Sequence, residues 1–212
     1  MTPVFNRLAP TLARTTAAVF FAGALTLSFI GGAKALEMRD DGIHTEKWMK
    51  SLTFLDLKDD LAEANAKGKG LVIIFEQPGC GSCKRLHEVN FQKPELVDYI
   101  TQHFEVLQIN MYGDNLVTDF DGEELSEVKF TEKRLINFSP TTLFIGADGT
   151  ELFRIPGYLA PNFYISGYEY VVDEGPQKGI LFPRWMKAKR DRLRAQEASQ
   201  DAAAPAAQGA GS

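Results

Sequence analysis

The stretch LVIIFEQPGCGSCKRLHE, residues 71–88, contains both cysteines of the chain, Cys80 and Cys83. Five consecutive apolar residues, Leu71-Val72-Ile73-Ile74-Phe75, predict a buried strand over 71–75. A turn follows at Gln77-Pro78-Gly79, and the spacing predicts a helix from about Ser82. A Cys-x-x-Cys pair therefore stands where a strand ends and a helix begins. First-turn N–H groups of a helix lack intrahelical partners, and the helix dipole adds partial positive charge there. A thiolate at Cys80 would be stabilised in that position, and the thiolate is the species that attacks a disulfide. A bridge closing so short a loop removes little unfolded-state entropy, which argues for chemistry over stabilisation.

Both ends of the chain read as lying outside the folded domain. Arg7 and Arg14 precede an apolar stretch over 16–33, and Ala33-Lys34-Ala35 fits a small-x-small cleavage pattern. Residues 1–35 are thus expected to be an export signal cut after Ala35; an uncleaved membrane anchor is the rival reading. The chain has no Arg-Arg pair in that region, which favours general secretion over the twin-arginine route. Of 23 basic residues the leader holds three, leaving 20 against 28 acidic ones and a balance of −8. Such a surface disfavours nucleic acid as a partner. From Gln196 onward the composition (QEASQDAAAPAAQGAGS) predicts a disordered tail over 196–212. A single domain is expected over 36–195, ending in a C-terminal helix.

Within that domain, Leu57, Leu61 and Ala64 mark one face of a helix over 57–67, closed by Gly68-Lys69-Gly70. After the cysteines the helix is expected to break near residues 90–93, because Pro94 disfavours helix before it. It resumes over 95–103, and FEVLQIN (104–110) reads as a second strand. The acidic segment 112–127 suits a short hairpin turning at Asp121-Gly122; the calcium-loop spacing is not met. A helix over 125–136 is expected, then strands over 142–145 and 150–155 joined at Asp148-Gly149, and a helix over 161–172. The basic segment 183–194, with Trp185 and Met186, reads as a solvated helix or as a docking surface for an acidic partner or lipid.

Taken together, Cys80-Gly81-Ser82-Cys83-Lys84, Ser139-Pro140-Thr141 ahead of a hairpin, and Arg154-x-x-Gly157-Tyr158 resemble the thioredoxin superfamily. The resemblance implies an α/β thioredoxin fold with a central mixed sheet flanked by helices. It implies a thiol–disulfide oxidoreductase acting on protein disulfides, a monomer, with no cofactor beyond the Cys80–Cys83 disulfide and no metal. It also implies that Pro140 is cis and faces the cysteines, with Ser139 and Gly79 as substrate contacts. The run Cys83 to Phe91 and the Asp119-Phe120-Asp121-Gly122 segment are similar to the SoxW-type thioredoxins of sulfur-oxidation clusters. Those are periplasmic reductases, thought to draw electrons from a membrane thiol transporter. The chain departs from the superfamily pattern at Gly79, where a tryptophan is usual, and at Ile74, where cytosolic thioredoxins bury an acid.

In this reading Cys80 is the nucleophile and Cys83 resolves the mixed disulfide. Cys83 then needs a base, and Glu76, at the end of the apolar strand, is the candidate; the alternative is a strand-end glutamate facing water. Lys84 reads as a solvated lysine, with a role in favouring a nearby thiolate as the alternative. His87, four residues after Cys83, reads as a helix-surface residue, with a Cys80–Cys83–His87 metal site as the sharper alternative. Three classes of function thus stand: an oxidoreductase, a copper- or zinc-binding module, and a non-catalytic adaptor.

Overall fold

The computed structural model describes residues 36–51 and 53–203. The expected export signal and residues 204–212 of the expected tail lie outside them. The elements, in chain order, are β1 (Glu37–Met38), β2 (His44–Thr45), α1 (Leu57–Ala66), β3 (Gly70–Glu76) and α2 (Gly81–Arg85). A π-helical turn, Leu86–Asn90, continues α2. Then come α3 (Pro94–His103), β4 (Phe104–Asn110), β5 (Leu116–Thr118), β6 (Glu124–Ser126) and α4 (Glu127–Lys133). Last are β7 (Thr141–Ile145), β8 (Glu151–Pro156), α5 (Pro161–Val172) and α6 (Phe182–Ala203).

The main sheet has the order β4-β3-β7-β8. β3 pairs parallel with β4, and β7 pairs antiparallel with both β3 and β8. This is the mixed sheet flanked by helices that the resemblance implied. Side chains alternate across a strand, so β3 feeds two cores. Leu71, Ile73 and Phe75 pack with Leu57, Leu61, Ala64, Val117 and Phe130 on one side. Val72 and Ile74 pack with Leu86, Phe91, Ile100, Tyr164 and Tyr168 on the other. Glu76 is next in the second row, and the same alternation carries it inward, under the helix that bears the cysteines.

Local chemistry sets the element ends. Asp56 caps α1, accepting from the Lys58 and Asp59 amides at 3.1 Å each. Pro94 opens α3, where its missing N–H costs nothing. The 112–127 segment forms the expected hairpin, β5 with β6, and Asp119 inside it is buried against Lys133 and Arg134. α4 is shorter than the expected 125–136, because Leu125 and Ser126 pair with β5 and the chain turns at Leu135, which has φ 53°. α6 is longer than expected. It runs through 196–203, the first part of the segment read as disordered, since Ala, Gln and Glu propagate a helix already started. No described helix is long and apolar enough to cross a membrane.

Candidate active site

The redox pair sits at the junction of β3 and α2. Gly79 takes φ +71°, and apart from its chain neighbours nothing lies within 4 Å of where a Cβ would stand, so the space beside it is open. Cys80 is the N-cap of α2, and the Cys83 amide donates to its sulfur at 3.0 Å. Cys80 and Cys83 are joined in a disulfide with a Cα–Cα distance of 5.2 Å. Cys80 is partly exposed and Cys83 is buried. A partner can therefore reach the first sulfur and not the second.

The second wall comes from the loop before β7. The Ser139–Pro140 peptide bond is cis, and the Ser139 hydroxyl donates to the Cys80 sulfur at 3.3 Å. The loop is tied down on both sides, by Thr141 Oγ1 on the Phe138 carbonyl (2.7 Å) and by the Gly157 amide on the Pro140 carbonyl (2.8 Å). Of the residues named from the sequence as substrate contacts, Ser139 touches the partly exposed sulfur, Pro140 follows it through the cis bond, and Gly79 precedes Cys80 in the chain; Phe138, next to Ser139 in sequence, is 64% exposed.

Residues 57–171 match the family model of the thioredoxin-like domain, more than half of the chain. The chain belongs to the thioredoxin-like domain family. Among solved structures it is similar to a putative disulphide-isomerase from Bacteroides thetaiotaomicron, at 26% identity over 63% of this chain and 96% of that one (TM-score 0.46). It is also similar to a thioredoxin-fold protein from Helicobacter pylori, at 21% identity over 61% and 85% (TM-score 0.47). A third is the oxidised DsbD C-terminal domain of Neisseria meningitidis, at 17% identity over 53% and 90% (TM-score 0.41). No curated protein matches the chain.

Behind the cysteines this thioredoxin-like protein holds a polar cluster that the sequence reading placed wrongly in part. His87 is fully buried, not on the helix surface. Cys83, Leu86, His87 and Asn90 fall at the i, i+3, i+4, i+7 spacing of one helix face, and all four are buried. His87 Nε2 lies 3.2 and 3.3 Å from the two carboxylate oxygens of Glu76, and Nδ1 lies 3.2 Å from Glu46 Oε1. Both ring nitrogens are therefore engaged, and the Cys80–Cys83–His87 metal trio does not converge. Glu76 is likewise fully buried, which removes its water-facing alternative. Its second anchor is Gln108 Nε2 at 2.9 Å, a side chain that also donates to the His44 carbonyl at 2.7 Å.

The electrostatics follow from this packing. Burial works against the charged form of His87, but the bonds to Glu76 and Glu46 prevail, and its pKa is raised. His44, 5.7 Å from His87 ring to ring, is shifted down, chiefly by burial and then by the charge on His87. Lys84 is exposed and pairs with Glu88 at 3.4 Å. Glu46 was missed in the sequence because it lies 41 residues from His87, in a segment that reads only as a polar lead-in.

Proposed function

We propose that the protein is an exported thiol–disulfide oxidoreductase of the periplasm, acting as a monomer on protein disulfides. The observation that carries this reading is the Cys80 sulfur itself. It is partly exposed at a helix N-cap, with the Cys83 amide and the Ser139 hydroxyl both pointing donors at it. Those donors favour the thiolate over the thiol.

Reduced Cys80 attacks one sulfur of a partner disulfide; a mixed disulfide forms and the other partner sulfur leaves as a thiolate. Cys83, one turn along the helix, then loses its proton and attacks the Cys80 sulfur. The Cys80–Cys83 bond forms and the second partner thiolate departs, so the partner gains the electron pair that the protein gives up. Glu76 is the base for this second step. The SoxW-type motif supports a reductase serving sulfur oxidation, and a reductase in an oxidising compartment needs electrons from a membrane thiol transporter.

Reduction of insulin disulfides tests the assignment. The reduced protein is expected to be active and Cys80→Ser inert; equal inertness of both would sink the reading. The reduction potential then fixes direction. A value near about −270 mV supports a reductase, and one near about −120 mV an oxidant.

A further inference from the structure

Glu76, His87 and Glu46 form a line of buried acid–base groups that starts beneath the helix bearing the cysteines and ends at Glu46, the least buried of the three. Glu76 and His87 are fully buried, whereas Glu46 retains 8% exposure. Glu46 lies outside the thioredoxin-like region, on the segment that precedes α1. That segment is fastened over the motif. Gln108 Nε2 donates to the His44 carbonyl, Asn110 Nδ2 donates to the Asp41 carbonyl at 3.5 Å, and Gly42 sits against Pro78. Gln92 Nε2 donates both to the His87 carbonyl (3.0 Å) and to Glu46 Oε1 (3.4 Å), holding the outer carboxylate in place.

We propose that Glu46 and His87 are a proton relay that connects buried Glu76 to solvent, so that the N-terminal segment supplies a positioning carboxylate to the Cys83 step. The relay rests on the reading of Glu76 as the base for Cys83. A base sealed from water takes up one proton and then stalls unless that charge can be passed on. Here His87 is held between two carboxylates, Glu76 at Nε2 and Glu46 at Nδ1. When Cys83 gives its proton to Glu76, Glu76 hands it to His87 Nε2 as His87 Nδ1 passes its own proton to Glu46, and Glu46 releases that proton to water, leaving Glu76 a carboxylate again. One proton enters and one leaves, and the cluster keeps its charge. When electrons return to the disulfide the same path runs backward, and Glu76 reprotonates Cys83. The electron pair moves only between sulfurs.

The titratable and charged groups around His87 come from each neighbouring element. They are Glu46 and His44 from the N-terminal segment and Glu76 from β3, with Lys84 and Glu88 on the same helix acting on His44. Tyr164 of α5 senses the Glu76 charge, and its hydroxyl bonds Thr142 at 3.0 Å and Tyr168 at 3.1 Å, away from the line.

Mixing the reduced protein with an aromatic disulfide that releases a coloured thiolate separates the two steps. One thiolate leaves when Cys80 attacks, and a second when Cys83 closes the bridge. In Glu46→Gln and His87→Gln the second release is expected to slow about 10-fold or more at neutral pH, within what a positioned acid–base group supplies. The first release changes less than about 2-fold, and Glu46→Asp recovers part of the loss. Slowing by Glu76→Gln alone overturns the relay and leaves the base reading intact; slowing by none of the three overturns both. In the unaltered protein, the His87 ring resonances are expected to titrate over the pH range in which the second release changes. A ring whose protonation stays constant across that range overturns the relay without recourse to variants.

Discussion

On one side of β3, Leu71, Ile73 and Phe75 meet hydrocarbon from α1, α4 and the β5–β6 hairpin. On the other, Val72 and Ile74 do the same for two positions, and then Glu76 turns the row into a cluster of buried acid, base and amide groups. One strand thus builds a dry core with one set of alternate residues and a proton-handling site with the other. A buried polar group is costly unless bonded, and cost without compensation elsewhere points to use. The cluster lies only on the face covered by the cysteine-bearing helix.

The comparison breaks most sharply at Glu76. Glu76→Ala strands His87 and Gln108 in the interior, and breaking a buried ion pair on one side costs about 3–5 kcal/mol. Phe75→Ala, one residue earlier on the opposite face, removes a ring stacked 5.8 Å from Phe130. Its cost should be similar, about 3–5 kcal/mol, yet its effects on chemistry should differ. Denaturant unfolding is expected to show both losses, while the Cys83 step, measured well below either midpoint, slows only in Glu76→Ala. If Phe75→Ala slows that step as much, the two faces are not separate.

The pH dependence of stability gives the next largest effect. Folding raises the proton affinity of His87, so its contribution is complete below its unfolded midpoint, near 6.5, and is lost as pH rises through the higher folded midpoint. Each unit between those midpoints corresponds to about 1.4 kcal/mol. His44 acts in the opposite sense, because its affinity is lowered and acid must charge a half-buried ring. Denaturation midpoints measured across this range should therefore fall on the alkaline side, and Glu46→Gln should flatten that fall. An unchanged alkaline limb in the variant would show that the pair does not hold the proton.

The dry face offers a smaller and purely structural test. Asp56→Ala removes the side chain that caps α1 over that face, and the expected loss is about 1 kcal/mol. Urea unfolding measures it, and the rates of both thiolate releases should stay as they were. A slowed release would mean that α1 supports the redox site after all.

Most of the scaffold was legible because its signals are local. An apolar run placed β3, alternation placed β4 and a glycine turn placed the β7–β8 hairpin, each within a residue or so, and proline marked the starts of α3 and α5. The redox pair was legible for the same reason, since four residues contain it. Glu76 pointing inward was also within reach, because it has the parity of Val72 and Ile74. His87 was misread as a surface residue, although its spacing from Cys83 and Leu86 puts it on their face. Glu46 was beyond reach. No periodicity links it to His87, and only the path of the segment 39–46 over the motif brings them together. The N-terminal segment thus carries the least sequence signal and completes the cluster.

The smallest effect is expected at the C-terminus, on the helix packed against α5. α6 is fixed by the buried Trp185, whose Nε1 donates to Asp173 at 3.0 Å, and by Lys189, which bonds Ser166 Oγ at 3.1 Å and pairs with Glu169. Beyond Lys189 the described side chains are exposed. Residues 196–203 are therefore helical through propensity and continuation of a nucleus, without packing to hold them. A chain stopped after Ala195 is expected to unfold within about 0.5 kcal/mol of the full one. The amplitude of the far-ultraviolet circular dichroism should drop, while the denaturation midpoint and both thiolate releases stay in place. A clear fall in the midpoint would mean that the end of α6 touches the domain.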